Sequence, residues 1–353
     1  MPIPLKIDDI LAETRLEMQK KMLQTVTTTG VDLDSVYGQT LQHIKEQKGD
    51  RARLGMEALM WVSHAKRPLR IDELCHALAV NGEATDLDPQ KVLLQDTVLE
   101  SCLGLTFVDK KTSAVRPIHD TLQEYLSRPG ILPGAHKILG ETCLAFLNYD
   151  KIKGLTANEV GDIRHMPFLE YSSLFWAAHA KIELSDRAKS LALELLNQFE
   201  NDRSFPLSFK NTFPFTLYSS DRITSLHCAS YLGIDALVAA LIEIKSCDIN
   251  ETDYLSNTPL MWAVIRGNHG AVKLLLTCNG VDIDKQDIIG QTALWWAAAY
   301  KDVEMVRLLT NGGADPNKAN NKGQTPLMMA SDRRNMQIVA LLQPQAITMS
   351  DLD

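Results

Sequence analysis

Cysteine and histidine are the side chains in this sequence that are best suited to chemistry. Cys75 and His76 are adjacent and suggest a thiol nucleophile beside a base. Neighbouring residues on a helix point in different directions, however, so these two side chains cannot form a relay. No oxyanion loop or third partner accompanies them, or accompanies His119 or His179. We therefore predict no catalytic residue, and we expect these four side chains to be buried polar groups satisfied by the backbone.

The six cysteines show no signature of a metal or redox site. No two are separated by two residues, so neither a zinc knuckle nor a dithiol site is expected. No positively charged segment followed by an apolar core opens the sequence, so we expect no secretory signal and reduced thiols in the cytoplasm or the nucleus. We predict neither a metal nor a cofactor. The cysteines are Cys75, Cys102, Cys143, Cys228, Cys247 and Cys278.

The overall charge argues against nucleic acid as a partner. The 353 residues include 36 Lys and Arg against 44 Asp and Glu, which gives a net charge of −8. Proteins dedicated to nucleic acid usually carry a basic face that neutralises phosphates. With 45% hydrophobic residues the composition is typical of a folded protein. Its longest apolar stretches are far shorter than the ~18 residues of a membrane span, so we expect no membrane partner.

A repeat in the last third of the sequence predicts how that part is built. Four segments begin with Thr and end with Ala, and their threonines lie 34, 34 and 33 residues apart. A second apolar run follows each segment, so each repeat predicts two helices. The Thr would cap the first helix, and Pro at the first helical position loses no hydrogen bond. The segments are Thr224–Ala229, Thr258–Ala263, Thr292–Ala297 and Thr325–Ala330.

These segments resemble the ankyrin repeat, whose period is about 33 residues and whose first helix opens with a Thr-Pro-Leu-His turn. The resemblance implies four stacked helix pairs, because a single pair cannot bury its apolar face. The consensus His is kept only at His227. We expect the large side chains that replace it, and the tryptophans beside them, to fill a broader core. These residues are Met261, Trp262, Trp295, Trp296 and Met328.

The glycine that ends the first helix is kept in two of the repeats, as Gly233 and Gly267. Glycine adopts the positive φ of that turn at little cost. Lys301 and Arg334 replace it in the last two repeats, a loss that is tolerable if the turn is relaxed there. Asp332–Arg334 resembles the polar finish of a terminal repeat.

The first half of the sequence predicts helices followed by two short strands. Helical spacing covers residues 35–65, a helix start is favoured at Asp72, and a third helix is predicted from Val92 to Cys102. Leu105–Val108 and Ala114–Ile118 have the pattern of strands around a polar turn. Helices with a terminal hairpin describe a winged helix.

The candidate recognition helix of that winged helix is acidic. It carries Asp96 and Glu100 and has no Lys or Arg. Carboxylates facing phosphates are repulsive, so we do not expect direct DNA readout.

Short motifs in this half, in their order along the chain, resemble the region after the nucleotide-binding domain in fungal NACHT–ankyrin proteins. Those are NLR-like signalling NTPases, and the resemblance implies a winged helix that serves as a hinge, a helical connector and ankyrin repeats over roughly residues 31–343. The motifs are Ala65–Leu69, Asp72–Leu78, Cys102–Leu105, Ile118–Tyr125, Cys143–Leu147, Pro167–Tyr171 and Trp176–His179.

One feature of that family is missing. Its members hold nucleotide through a Gly-x-x-x-x-Gly-Lys-Ser/Thr loop, and no segment of that form occurs in this sequence. About thirty residues precede the winged-helix segment, which is too few for a nucleotide-binding domain. We therefore expect either a naturally truncated relative or a gene model from which the N-terminal coding region is missing. We do not expect NTPase activity for this protein.

The predicted fold is mostly α-helical, a winged-helix-like and helical part followed by an ankyrin-repeat solenoid. The segment before the repeats holds an aromatic cluster, which we expect to cover the open edge of the first repeat; a peptide-docking site is the alternative. The cluster comprises Phe205, Phe209, Phe213, Phe215 and Tyr218. The predicted domains are a helical lead-in 1–34, a winged helix 35–128, a helical connector 129–200, an aromatic linker 201–223, four ankyrin repeats 224–343 and a tail 344–353.

Ankyrin stacks bind proteins through the tips of their turns and the exposed end of the first helix. Several of those positions hold Tyr, Leu, Ile or Arg, which are typical of interface anchors, although scattered apolar residues are normal on any surface. The candidate partner-binding residues are Tyr231, Leu232, Tyr254, Leu255, Asn257, Ile265, Arg266, Ile288, Ile289, Gln291, Ala299, Tyr300, Asn321, Lys322, Gln324, Asp332 and Arg333.

The sequence thus predicts a non-enzymatic interaction scaffold or regulator that binds proteins through its ankyrin surface. By analogy with ankyrin proteins it could be a fungal transcription coregulator that holds a transcription factor, for example for a metabolic gene cluster. The alternative is the sensor half of an NLR-like signalling NTPase whose nucleotide domain lies on another chain. An enzyme or an accessory subunit is a third hypothesis, which no group of residues supports. The sequence leaves the oligomeric state open.

Overall fold

The computed structural model describes residues 33–153, 166–201, 222–244 and 247–343. Within these ranges the protein is mostly α-helical, and its two strands form one small sheet. The described residues up to Ala188 belong to one unit, and those from Lys189 onward belong to a second. Most of the predicted lead-in and linker, with the whole aromatic cluster, and the predicted tail lie outside the described residues.

The first unit begins with a winged-helix arrangement and continues with further helices. Its elements, in chain order, are α1 Leu33–Lys45, α2 Arg51–His64, α3 Ile71–Ala79, α4 Gln95–Ser101, β1 Thr106–Val108, β2 Val115–Pro117, α5 Asp120–Leu126, α6 Ala135–Leu147, α7 Asp150–Lys153 and α8 Phe168–Ala180. Helix α9, Asp186–Asn201, begins in this unit and continues into the second.

Helix α2 is the centre of the winged helix and packs against α1, α4 and α5. Its predicted apolar face is buried, with Ala58 and Trp61 at 0% and 1% exposure. Gly55 lets α4 approach closely, because a Cβ there would lie 2.3 Å from the carbonyl oxygen of Ser101. Any larger residue would separate the two helices and open the core.

The hairpin has the predicted strands. Phe107 pairs with Arg116 in an antiparallel register, and an isolated bridge between Arg70 and Ala114 extends the pairing. The third helix is shorter than predicted, because it begins at Gln95 rather than Val92. A 3₁₀ turn over Pro89–Lys91 ends in extended backbone, so the residues between the two elements cannot join the helix.

A buried carboxylate fixes the start of α3. The Glu73 side chain is completely buried and accepts two hydrogen bonds of 2.8 Å from the Arg67 guanidinium and one of 2.8 Å from the Arg70 backbone N–H. A negative charge in the first turn is favourable because the helix N-terminus is electropositive. The acidic pair at Asp72 and Glu73 therefore marks the helix start as predicted.

The second unit contains four helix pairs in the predicted positions. The first helix of each pair is capped by its threonine, whose hydroxyl accepts a backbone N–H from the third helical residue at 3.2–3.4 Å. Pro259 and Pro326 stand at the first helical position. The pairs are α10 Ser225–Leu232 with α11 Asp235–Ile242, α12 Pro259–Ile265 with α13 His269–Leu276, α14 Ala293–Tyr300 with α15 Val303–Asn311, and α16 Pro326–Asp332 with α17 Met336–Leu342.

Neighbouring pairs bury each other's apolar faces. Each first helix contacts the next first helix, and each second helix contacts the next second helix. Polar side chains fix the spacing: the Asn268 amide donates hydrogen bonds of 2.8 Å to the carbonyl oxygens of Ser230 and Tyr231 in the preceding repeat. The turn tips also join, since the Ile288 N–H donates to the Leu255 carbonyl at 2.8 Å.

The core expectation for the five large side chains holds at three positions, holds only in part for Trp296, which is half-buried, and is wrong at one. Met261, Trp262 and Trp295 are 1%, 5% and 7% exposed. Met328 is 53% exposed, because it lies in the last described repeat, where only Pro326 and Ala330 of its helix are buried.

The turn that ends the first helix is not relaxed where glycine is missing, so the condition for tolerating that loss is not met. Gly233 and Gly267 have φ values of 64° and 67°, and Lys301 and Arg334 have 63° and 55°. The repeat geometry imposes the left-handed conformation on all four residues. For a residue with a Cβ this conformation costs roughly 1–2 kcal/mol.

We predict that Lys301→Gly increases the free energy of unfolding by about 1 kcal/mol, because it removes the steric cost of a Cβ at positive φ. Lys301→Ala is the matched control: it truncates the side chain without relieving the backbone, so it should give no such gain. Thermal and urea unfolding of the full chain would measure both. Equal stabilities for the two variants would contradict this explanation.

Candidate functional site

The Cys75–His76 pair is not placed for catalysis. Cys75 is buried, and this burial raises the pKa of its thiol to about 11, with Asp72 adding to the shift. Because only the thiolate is a strong nucleophile, this side chain is inert at neutral pH. The His76 Nδ1 lies 2.8 Å from the Asp72 carbonyl oxygen of its own helix and so donates to the backbone, as predicted.

His119 is exposed rather than buried, so the sequence expectation is wrong for this residue. It is the cap of α5, where its Nδ1 accepts the Thr121 backbone N–H at 3.2 Å. Its side chain thus satisfies a free N–H group of the first helical turn.

His179 is completely buried, as expected, but its partners are side chains rather than backbone. Tyr171 accepts the Lys66 backbone N–H at 3.0 Å and can therefore donate its hydroxyl to His179 Nε2 at 2.9 Å. His179 Nδ1 then donates to Nδ1 of His136 at 2.9 Å. This chain of donors requires a neutral imidazole, and burial lowers the pKa of His179 to about 3, with the charges of His136, Lys66 and His64 adding to the effect.

The described residues include no cluster of side chains that could bind a metal ion. Three histidines, His64, His136 and His179, lie near one another, yet no group of three or more His, Cys, Asp or Glu side chains in the described ranges could hold a metal ion. Where the helices are described, none is long and apolar enough to cross a membrane.

The second unit contains an apolar groove of about 340 Å³. Turn tips and first helices of consecutive repeats form its walls, and we call it the ankyrin groove. Ile288, Ile289 and Tyr300 are 59%, 52% and 54% exposed, although large apolar side chains are usually buried. The groove is lined by Ile223, Tyr231, Asp253, Tyr254, Leu255, Asn257, Trp262, Ile265, Asp287, Ile288, Ile289, Trp296 and Tyr300.

Two aspartates connect the turns to the aromatic wall of this groove. Asp253 Oδ1 accepts the backbone N–H groups of Leu255 and Asn257 at 2.9 and 2.8 Å, and its Oδ2 accepts the indole N–H of Trp262 at 2.9 Å. One repeat later, Asp287 accepts the indole N–H of Trp296 at 3.2 Å. Each carboxylate thus holds its turn and fixes the orientation of an indole nine residues further on.

The aromatic rings of the wall lie against one another. The Tyr231 and Trp262 rings meet edge to face, with centroids 5.5 Å apart, and the Trp296 and Tyr300 rings stack at 5.7 Å with 18° between their planes. The Arg266 guanidinium lies 4.5 Å from the centroid of Tyr231. These contacts hold the groove in shape without an occupant.

The structure places the predicted partner-binding residues in different environments. Four were expected to be exposed and are instead buried, because the neighbouring repeat or the Arg266 side chain covers them: Tyr231, Leu232, Asn257 and Gln291. Five are half-buried: Tyr254, Leu255, Ile265, Ala299 and Gln324. Eight are exposed: Arg266, Ile288, Ile289, Tyr300, Asn321, Lys322, Asp332 and Arg333.

The groove brings together eight of the predicted residues and five that were not predicted as partner-binding. Asp253 and Asp287 could have been found from their matching positions, five residues before each Thr of the repeat. The eight are Tyr231, Tyr254, Leu255, Asn257, Ile265, Ile288, Ile289 and Tyr300, and the five are Ile223, Asp253, Trp262, Asp287 and Trp296.

A stack of capped helix pairs with one apolar groove defines a repeat solenoid of the kind that binds proteins. A family model of ankyrin repeats, in three copies, matches residues 174–287 and 276–351, which together span about half of the chain. The protein therefore belongs to the ankyrin-repeat family. Residues 41–132 match the winged helix domain of GPI inositol-deacylase. No curated protein matches the chain.

We predict that acid weakens both units through buried histidines. Burial lowers the pKa of His179 to about 3 and that of His227 to about 4, whereas an unfolded histidine has a pKa of about 6.5. The unfolded chain therefore binds more protons below about pH 6.5, and each histidine should remove about 1.4 kcal/mol of stability by pH 5.5.

Unfolding of the full chain between pH 7 and pH 5 would measure this loss. The matched variants are His179→Gln and His227→Gln, whose side chains do not titrate in this range. Each should flatten the decline of stability with pH in its own unit. A decline that is the same in wild type and in both variants would show that other groups cause it.

Proposed function

We propose that the protein is a non-enzymatic regulator that captures a segment of a partner protein in the ankyrin groove. The observation that carries the proposal is the exposure of Ile288, Ile289 and Tyr300 around a groove whose shape is already fixed by internal contacts. A preformed site loses little conformational entropy on binding. Exposed apolar residues that lie together around a concave site mark protein interaction sites more often than scattered ones do.

Membership of the ankyrin-repeat family supports the same role, because ankyrin repeats are interaction modules. The regulator could act as a transcription coregulator that holds a transcription factor without contacting DNA. Asp96 and Glu100 of helix α4 support the absence of DNA contact, because carboxylates on a helix that would enter a DNA groove are repelled by the phosphates. Cytoplasm and nucleus are both compatible with this role.

The test is a triple variant in which Tyr254, Ile288 and Tyr300 are changed to alanine. Affinity capture with the full chain, followed by mass spectrometry, should recover partner proteins with the wild type. The amount recovered with the variant should be lower by about tenfold or more, because such residues are typical anchors. Thermal unfolding should change little, since Ile288 and Tyr300 are more than half exposed.

The matched control changes two exposed apolar residues of other repeats outside the groove, Ile244→Ala with Met336→Ala. These side chains are 43% and 72% exposed. The control should retain the partners of wild type. If every partner survives the triple variant, the groove is not the binding site.

A second candidate function is the sensor half of an NLR-like signalling NTPase. The match of residues 41–132 to a winged helix domain, followed by ankyrin repeats, favours it. In this case the same capture experiment should recover a protein with a phosphate-binding loop, and that protein should still bind the triple groove variant. If the capture experiment recovers no such NTPase, the second candidate function is wrong.

A further inference from the structure

The chemistry of the ankyrin groove indicates which kind of segment it accepts. Its lining is aromatic and aliphatic except for Asn257 and two carboxylates, Asp253 and Asp287. These carboxylates are 3% and 8% exposed. A charge that is removed from water to this degree normally has a cation beside it.

No described Lys or Arg forms an ion pair with either carboxylate. Asp253 is satisfied by N–H donors from Leu255, Asn257 and Trp262, and Asp287 by Ile289, Gln291 and Trp296. Such donors stabilise a carboxylate but do not cancel its charge. His227 does not cancel it either, because burial lowers its pKa to about 4 and leaves it neutral at pH 7.

The negative charge reaches the groove through its aromatic wall. A carboxylate that accepts an indole N–H makes the indole ring more electron-rich, and tryptophan is the aromatic side chain that attracts cations best. Trp296, the partner of Asp287, stacks on Tyr300, and Tyr300 is 54% exposed. This pair therefore presents an accessible, electron-rich surface at one side of the groove.

The other side of the groove already holds a guanidinium. Arg266 lies 4.5 Å over the ring of Tyr231, and both Tyr231 and the neighbouring Trp262 line the groove. Among the described residues, no Arg or Lys occupies the matching position over Trp296 or Tyr300. The Tyr231 side of the wall thus binds an arginine of the same chain, whereas the aromatic surface of Trp296 and Tyr300 has no cation over it among the described residues.

We propose that the ankyrin groove accepts a segment of a partner protein in which aliphatic side chains flank a cationic one, with arginine preferred. The aliphatic side chains would pack on Leu255, Ile265, Ile288 and Ile289, and the cation would lie on Trp296 and Tyr300 above the Asp287 carboxylate. Arginine is preferred over lysine because its planar guanidinium stacks on aromatic rings and is more weakly hydrated. An acidic segment is disfavoured, since its charge would lie close to two buried carboxylates that no described cation pairs. This inference rests on the proposed function.

The test is a display library of random twelve-residue peptides, selected on the full-length protein. Peptides that also bind the triple variant of Tyr254, Ile288 and Tyr300 are removed, so that only ligands of the groove remain. The recovered peptides should combine aliphatic residues with Arg or Lys and lack Asp and Glu. In a synthetic peptide of the selected sequence, replacing Arg by neutral citrulline should weaken binding about tenfold.

Two variants of one exposed residue test where the cation lies. Tyr300→Leu keeps an apolar side chain but removes the ring, and it should weaken binding of the arginine peptide about fivefold. Tyr300→Phe keeps the ring and should bind nearly as well as wild type. The citrulline peptide should not distinguish the two variants. Thermal unfolding of each variant verifies that the repeats remain folded.

The outcomes separate this inference from the proposed function. The charge preference would be overturned if the groove-dependent peptides carried no cation. It would also be overturned if the arginine peptide bound equally well with citrulline in place of arginine. Either result would leave the capture of a segment by the groove in place. Selection that yields no groove-dependent peptide would overturn both.

Discussion

The second unit depends on one constraint: a pair of short helices cannot bury its apolar residues unless another pair covers them. Helix α14 illustrates this, because Leu294, Ala297 and Ala298 are at most 1% exposed and the helix contacts first helices on both sides. Helices of seven to nine residues are too short to be stable alone. The threonine caps, the Asn268 hydrogen bonds and the joined turn tips all serve to hold the pairs at the spacing that this burial requires.

The groove is a consequence of the same spacing. Once the turns project from one side of the stack and the first helices form its floor, a concavity lies between them. The wall carries an indole in the second and third repeats, at the position of Cys228 in the first, and each indole is held by the aspartate of its own turn. Through the Asp253–Trp262 and Asp287–Trp296 hydrogen bonds, a carboxylate that holds its turn also orients the wall of the groove.

Much of the architecture could be predicted from sequence because it depends on local patterns. The threonine spacing located the four pairs, and the alternating residues after Cys102 located the hairpin. The exposure of single residues was harder to predict. Tyr231 stands at a position that is open in a repeat taken alone, but Arg266 of the next repeat lies over it. The conformation of Lys301 was also missed, because the geometry of the repeat outweighs the preference of the residue.

The turn aspartate is not the same in every repeat. Asp253 and Asp287 are followed, 33 residues after the second, by Asn320, whose Oδ1 accepts the N–H groups of Lys322 and Gln324 in the same way. The amide preserves the turn and removes the charge. The turn of the fourth repeat therefore lacks the carboxylate that the turns of the second and third repeats carry. A bound segment with its charge near one terminus would then have a single favoured chain direction, because reversing it would move the cation away from both carboxylates.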